Sequence, residues 1–255
     1  KVEPGTNTSI PAPLSMRWNW FGRVTPPTPI QNYQLIIYYP PTMIDAPASF
    51  NIYLKKPGES GFTKTNYPKS SLLKYTDSSG SEASYSAYPL GNYGVPSGNI
   101  PLGEYKVYAT AVDSAGAETT PTPTTTGNYH PAPSIVNPAN GSTQPSLTQI
   151  DLSNTSSLAN PRYTVTLFGA SGYIWAPNAF SGGSVIYSGP ALSSANNPYT
   201  LVTSIFPNSI DPADSSPYTV STFNIVSSTT ATTTSAMLDS LNGLLQRLKE
   251  LLRKR

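Results

Sequence analysis

An all-β chain is predicted: two tandem antiparallel β-sandwiches followed by a C-terminal amphipathic α-helix. Three observations predict it. Short segments with period-2 alternation recur along most of the 255 residues, separated by Gly, Pro, Asn and Ser clusters, which is the signature of half-buried strands and turns. A shift to Pro and Thr near residue 130 divides them into two lengths of about 100 residues, each large enough for its own core. In the last twenty residues the period changes from 2 to the 3-4 spacing of a helix.

Residues 1–13 (KVEPGTNTSIPAP) are rich in Pro and Thr, lack periodicity and read as an extended N-terminal arm, either a disordered end or a strap on a neighbouring molecule. The first sandwich is placed at 14–127. Leu14, Met16, Trp18 and Trp20 alternate with Ser15, Arg17 and Asn19, a strand. Strands follow at 33–39 (YQLIIYY) and 49–56 (SFNIYLKK). Residues 66–99 are Ser-, Tyr- and Gly-rich; one short strand at 71–75 is expected there, within an elaborated loop. The clearest alternation lies in 100–120 (IPLGEYKVYATAVDSAGAETT), with Tyr105, Val107, Ala109 and Ala111 on one face and Lys106, Tyr108 and Thr110 on the other. A turn at 113–116 leads to a closing strand and a Pro/Thr linker within 117–131.

Leu102, Gly103 and Tyr105, followed by alternation and a Gly-containing hairpin, closely resemble the penultimate and last strands of a fibronectin type III domain. The resemblance implies that Tyr105 is the tyrosine corner, its ring buried and its hydroxyl bonded back to the backbone. The order strand, Pro-Pro, loop with Ala-Pro, strand with a Tyr and Gly hairpin over 33–61 resembles strands B, C and C′ of that family. The family's strand-B Trp would then fall on Tyr38.

The second sandwich is placed at 128–228. Its opening, 133–153, and the strands at 163–168, 173–175, 185–187, 199–206 and 218–226 resemble a fibronectin- or immunoglobulin-like domain more distantly. The two halves read as a degenerate duplication with a period of about 100 residues.

Residues 229–235 are a Thr-rich linker, and 236–255 (AMLDSLNGLLQRLKELLRKR) form the helix. Leu238, Leu241, Leu245, Leu248 and Leu252 are spaced 3, 4, 3 and 4, flanked by Met237, Leu244 and Leu251. Ser235 is the N-cap candidate and Asp239 sits in the first turn. Arg253, Lys254 and Arg255 suit the negative C-terminal end of the dipole. Twenty residues make a helix about 30 Å long. Eight large apolar side chains on one stripe must be covered. The candidates are the chain's own sandwich, other copies of the helix, and a membrane surface or acidic envelope polymer drawn by the basic end.

Charged residues make up 11% of the chain, against roughly 25% in an average soluble protein. Such a surface suits a secreted or cell-surface β protein, with any signal peptide already removed, and suits a nucleic-acid binder poorly. The net charge of +2 hides an asymmetry: +1 over 1–130, −2 over 131–235 and +3 over 236–255. There is no Cys and one His, His130, between Tyr129 and Pro131, where a linker position is expected. The carboxylates offer no close acid/base pair; Asp211 and Asp214 read as a turn rather than half of a Ca²⁺ site. No catalytic residue, metal site or cofactor is expected. Three Trp, Trp18, Trp20 and Trp175, are candidate ligand contacts, with the Trp18–Trp20 pair either a sugar-stacking platform or core. The expected function is a non-enzymatic extracellular structural subunit of a filament, sheath or surface layer, a homo-oligomer or polymer joined through the helix. The alternatives are an adhesin or carbohydrate-binding accessory module anchored by that helix, and, third, an auxiliary region of a polysaccharide hydrolase.

Overall fold

The alternation of the GEYKVYATAV stretch becomes the longest strand among the described residues, with Tyr105, Val107, Ala109 and Ala111 all buried. The computed structural model describes residues 9–24, 29–91, 94–158, 161–206 and 214–226. The helix at 236–255 and the linker at 229–235 lie outside the described residues, as do positions 1–8 of the arm and Asp211.

The first sandwich contains β1 (Ser15–Arg23), β2 (Ile30–Tyr38), β3 (Ser49–Lys55), β4 (Thr63–Pro68), β5 (Leu73–Thr76), β6 (Ala83–Ala87), β7 (Val95–Pro96), β8 (Gly103–Val112) and β9 (Thr125–Tyr129). One sheet runs β1-β2-β6-β5, with β7 also on β2; the facing sheet runs β4-β3-β8-β9. In sandwich lettering this is A-B-E-D against C′-C-F-G, the strand order of immunoglobulin-like folds. The second sandwich contains β10 (Ser134–Asn137), β11 (Ser142–Gln144), β12 (Gln149–Ser153), β13 (Arg162–Gly169), β14 (Gly172–Trp175), β15 (Ser184–Ile186), β16 (Tyr199–Phe206), β17 (Asp214–Ser215) and β18 (Thr219–Ile225). Its sheets are β10-β12-β15 and β11-β18-β16-β13-β14, that is A-B-E against A′-G-F-C-C′. The shared order B-E against G-F-C-C′ is what a duplication would leave behind. Each sandwich has its own core, drawn from both of its sheets.

Four expectations are corrected. Residues 66–99 hold β5, β6 and β7, not one strand. β6 (ASYSA) is buried at every position, and its polar face is only the two small serines Ser84 and Ser86, so no exposed polar face marks it as a strand. The Pro/Thr stretch before β9 is no linker. Thr119 N and Thr122 N donate to the carbonyls of Ala111 and Ala109 (both 2.9 Å), and their hydroxyls accept from the backbone N–H groups of Ala111 and Ala109 (3.0 and 3.1 Å). Threonine hydroxyls thus stand in for ladder partners that Pro121 and Pro123 cannot supply. The closing strand comes after this stretch and runs to Tyr129, past the expected edge at 127. Third, the end of the arm packs on its own chain: Ile10 lies against the first core, and the Tyr39 hydroxyl donates to the Pro11 carbonyl (2.6 Å). Fourth, Tyr38 does not take the place of the family's buried Trp. It points to the outer face of β2, half-buried, while Tyr33, Leu35, Ile37 and Tyr39 face inward. The indole is supplied instead by Trp18 on β1, stacked on Tyr33 with ring centroids 4.3 Å apart.

Among the described residues no helix is long and apolar enough to cross a membrane.

Candidate functional site

The two sandwiches meet at a buried polar junction built around β17, which stands between β16 and β18 in the chain. There β17 joins the first sandwich, pairing in parallel with β9 (Asp214 with Asn128, Ser215 with Tyr129). His130 N donates to the Ser215 carbonyl (2.7 Å), so His130 is held at a strand end, half-buried, and is not an exposed linker residue. Asp214, read with Asp211 as a turn, begins the outer strand of the neighbouring sheet.

Side chains close the junction. Gln31 Nε2 donates to Ser215 Oγ (2.6 Å). The Tyr129 hydroxyl donates to Gln31 Oε1 (2.6 Å), with the Ser97 carbonyl oxygen 3.0 Å away. Tyr218 N donates to Ser97 Oγ (3.2 Å), and Thr219 Oγ1 donates to the Pro133 carbonyl. Ser216 Oγ accepts from Ile205 N (2.8 Å), tying the segment back to β16. Gln31, Ser97, Tyr129, Ser215 and Ser216 are all under 5% exposed. Burial, then the nearby Tyr218 and Tyr105 phenols, push the Tyr129 phenol up, so it remains a neutral donor. Gly22 is needed here: a Cβ would sit 2.5 Å from the Tyr218 hydroxyl oxygen. A buried network whose members satisfy one another fixes one arrangement, because opening it would strand donors and acceptors away from water.

Trp18 and Trp20, candidate ligand contacts, are corrected to core residues at 0% and 3% exposure. Their faces are occupied: Trp18 stacks on Tyr33 and Trp20 on Tyr129 (4.6 Å). Gly127 makes room for the first, since a Cβ there would lie 2.5 Å from the Trp18 ring. No sugar ring can reach either indole. Trp175 is half-buried at the edge strand β14, edge-on to Tyr187 (5.0 Å) and packed against the second core. Tyr105 is 1% exposed, and its hydroxyl donates to the Pro101 carbonyl four residues upstream (2.7 Å). Tyr199, at the matching start of β16, donates to the Ser193 carbonyl and accepts from Ser193 N (both 2.8 Å). Sequence reasoning passed over Tyr199; its place at the head of the corresponding strand, 94 residues after Tyr105, was the available signal. The assembly-helix residues Met237, Leu238, Leu241, Leu244, Leu245, Leu248, Leu251 and Leu252 lie outside the described residues.

Two further features were not anticipated. On the outer face of the first sandwich, Tyr53 and Tyr108 stack across β3 and β8 (4.5 Å), with Phe62 edge-on to Tyr108 (4.9 Å). Beside them sits Glu118. Burial pushes its carboxyl up, but hydrogen bonds from Lys64, Thr110, Tyr53 and Asn51 outweigh this and hold it down at about 2. The second feature is a cleft of about 300 Å³ at the side of the same sandwich. Among the described residues no group of three or more His, Asp or Glu could hold a metal ion.

No family model matches the sequence, and no curated protein is significantly similar to it. Solved structures similar to it include a two-domain segment and a tandem repeat. A two-domain fibronectin type III segment from chicken tenascin is 13% identical, over 84% of this chain and 99% of that one, with a TM-score of 0.27. The tetra-tandem repeat in the extending region of a large adhesion protein is 13% identical, over 83% and 50%, at 0.25. The human OSCAR ligand-binding domain is 16% identical, over 83% and 97%, at 0.23. The chain resembles fibronectin type III and immunoglobulin-like domains. Likeness at these scores says nothing of what it does, and the fold rests on the strand orders and the two cores.

Proposed function

We propose that the chain is a non-enzymatic structural subunit of an extracellular surface assembly, with the two sandwiches as its body and the C-terminal helix as the joint between copies. The observation that carries this reading is the junction. Tandem modules that only space out a binding site need no more than a linker. Here a strand of one sandwich completes the sheet of the other, and the polar groups at the seam are buried and paired. That suits a body that transmits position or load from one copy to the next. The weakly charged surface and the leucine stripe at 236–255 agree with it. A helix of fewer than three heptads is marginal alone but adequate where several copies meet. A surface adhesin anchored by the same helix is the second reading, favoured by the aromatic cluster of Tyr53, Tyr108 and Phe62 on an outer face.

Light scattering and electron microscopy of the full chain, beside the full chain carrying Leu241→Ser, Leu245→Ser and Leu248→Ser, test the proposal. Large regular assemblies from the first and monomers from the second are expected. Monomers of equal stability from both would remove the assembly reading and leave the adhesin.

A further inference from the structure

The side cleft of the first sandwich opens between the edge strand β4 and the chain that follows β6. Its floor is apolar: Ile52 is buried, and Leu54 and Leu90 are half-buried against the core. Tyr33, 1% exposed, belongs to the inner end, and Tyr67, half-buried on β4, to the wall. Polar groups gather at the mouth. Thr63 and Thr65 are exposed on β4. Glu59 Oε2 accepts from Lys56 N (2.9 Å), and its other oxygen can accept from a ligand. Burial, then the Tyr105 and Tyr67 phenols and the Glu59 carboxylate, push the Tyr33 phenol up, so it stays a neutral O–H. The volume lies at the lower end of the range for small-molecule sites, about 300–1,000 Å³.

We propose that this cleft is a binding site for one pyranose ring, either a free monosaccharide or one residue of a polysaccharide. An amphipathic ring needs an apolar or aromatic surface for its C–H face and acceptors and donors around its rim. The cleft provides Tyr67 and the aliphatic floor for the first, and Glu59, Thr63 and Thr65 for the second. A Lys56–Glu59 mouth is neutral overall and favours an uncharged ligand over an anion. The aliphatic floor, the Tyr67 wall and the Glu59 carboxylate belong to one opening, whereas the two indoles first considered for this role are sealed in the core. The site goes beyond the structural role and does not depend on assembly.

The test uses the full chain, with saturation-transfer NMR and tryptophan emission as readouts; Trp18, stacked on Tyr33, reports occupancy of the inner end. The probes are methyl β-D-glucopyranoside, N-acetyl-D-glucosamine, cellotetraose and chitotetraose. Saturable binding of at least one probe is expected, and tighter binding of a tetrasaccharide than of its monosaccharide identifies a chain as the ligand. Glu59→Gln should weaken it about tenfold, because the acceptor at that position loses its charge and a charge-assisted bond becomes a neutral one. Tyr67→Leu should weaken it about three- to tenfold. Thr65→Val, at an exposed edge position, serves if Tyr67→Leu fails to fold. The variant carrying Leu241→Ser, Leu245→Ser and Leu248→Ser should bind as the parent does, which separates this site from the assembly reading. No saturation transfer with any of the four sugars, or binding undiminished by Glu59→Gln and Thr65→Val, overturns the proposal.

Discussion

The first sandwich fills its core with rings and the second with branched aliphatics, on one shared strand order. Trp18, Tyr33, Tyr39, Phe50, Tyr85, Tyr105 and Tyr129 are fully buried in the first; in the second core Tyr163, Tyr199 and Phe223 are the buried aromatics among the described residues, beside Leu147, Ile150, Leu152, Val165, Leu167, Leu201, Ile205 and Ile225. The difference lies in the hydroxyls. In the first sandwich, Tyr39, Tyr85, Tyr105 and Tyr129 each place a ring in the core and a hydroxyl on a neighbouring segment, at Pro11, Ile44, Pro101 and Gln31. Tyrosine there is both filler and staple, in a chain with no cysteine. A buried phenol needs a partner, so each ring determines where a piece of loop must sit. Among the described residues the second sandwich has one such fully buried staple, Tyr199, beside the half-buried Tyr187, whose hydroxyl donates to the Pro190 carbonyl; elsewhere Asn and Ser tie its loops, as where Asn197 brackets Ile225 (both bonds 2.8 Å).

The sharpest way to break this comparison is Trp18→Ala. Losing a fully buried ring costs about 3–5 kcal/mol, and here it also strips the contacts to Trp20, Tyr33 and Tyr105. Urea denaturation of the full chain measures it; a loss under about 1.5 kcal/mol, the scale of a conservative core swap, would mean that the ring stack is not what holds the first core. Next come the two matched staples. Tyr199→Phe removes two hydrogen bonds and Tyr105→Phe one, so losses of about 2 and about 1 kcal/mol are expected. Equal losses would show that the second Ser193 contact adds nothing.

The smallest effect sharpens the comparison through pH. The Glu118 carboxyl is lowered from 4.5 to about 2 in the folded chain. Its stabilisation is therefore complete above about 4.5 and is lost as the pH falls through about 2. Glu118→Gln should cost about 1 kcal/mol at pH 7, the upper end for a surface pair, and that cost should fade as the pH is lowered from about 4.5 to below about 2. A difference from the parent that is the same at both pH values would remove Glu118 from the acid limb.

Much of the fold was legible because one face of most strands meets water. The alternation over the first half of β8 follows from that; β16 occupies the expected 199–206 through its Tyr199, Leu201, Thr203 and Ile205 alternation, although Val202 and Ser204 are buried too. β6 was illegible for the opposite reason: it is covered on both faces, with Ser84 and Ser86 buried along with Tyr85. The Thr-Pro stretch misled because its hydrogen bonds are made by side chains as well as backbone. Of the candidate site residues, Tyr105 sits where local spacing put it, since its bond spans four residues. The cleft and the junction join residues far apart in the chain, such as Gln31 and Ser215, and no local pattern marks them.

Sequence alone determined the strand periods, the division near residue 130 and the amphipathic character of the last twenty residues, because these follow from neighbours a few positions apart. Only the tertiary structure decided that Trp18 and Trp20 are core, that β17 crosses to the other sandwich, and that Tyr33, Tyr67 and Glu59 share one cleft. Whether a side chain is covered depends on which distant strand faces it, and that is settled when the sheets pack.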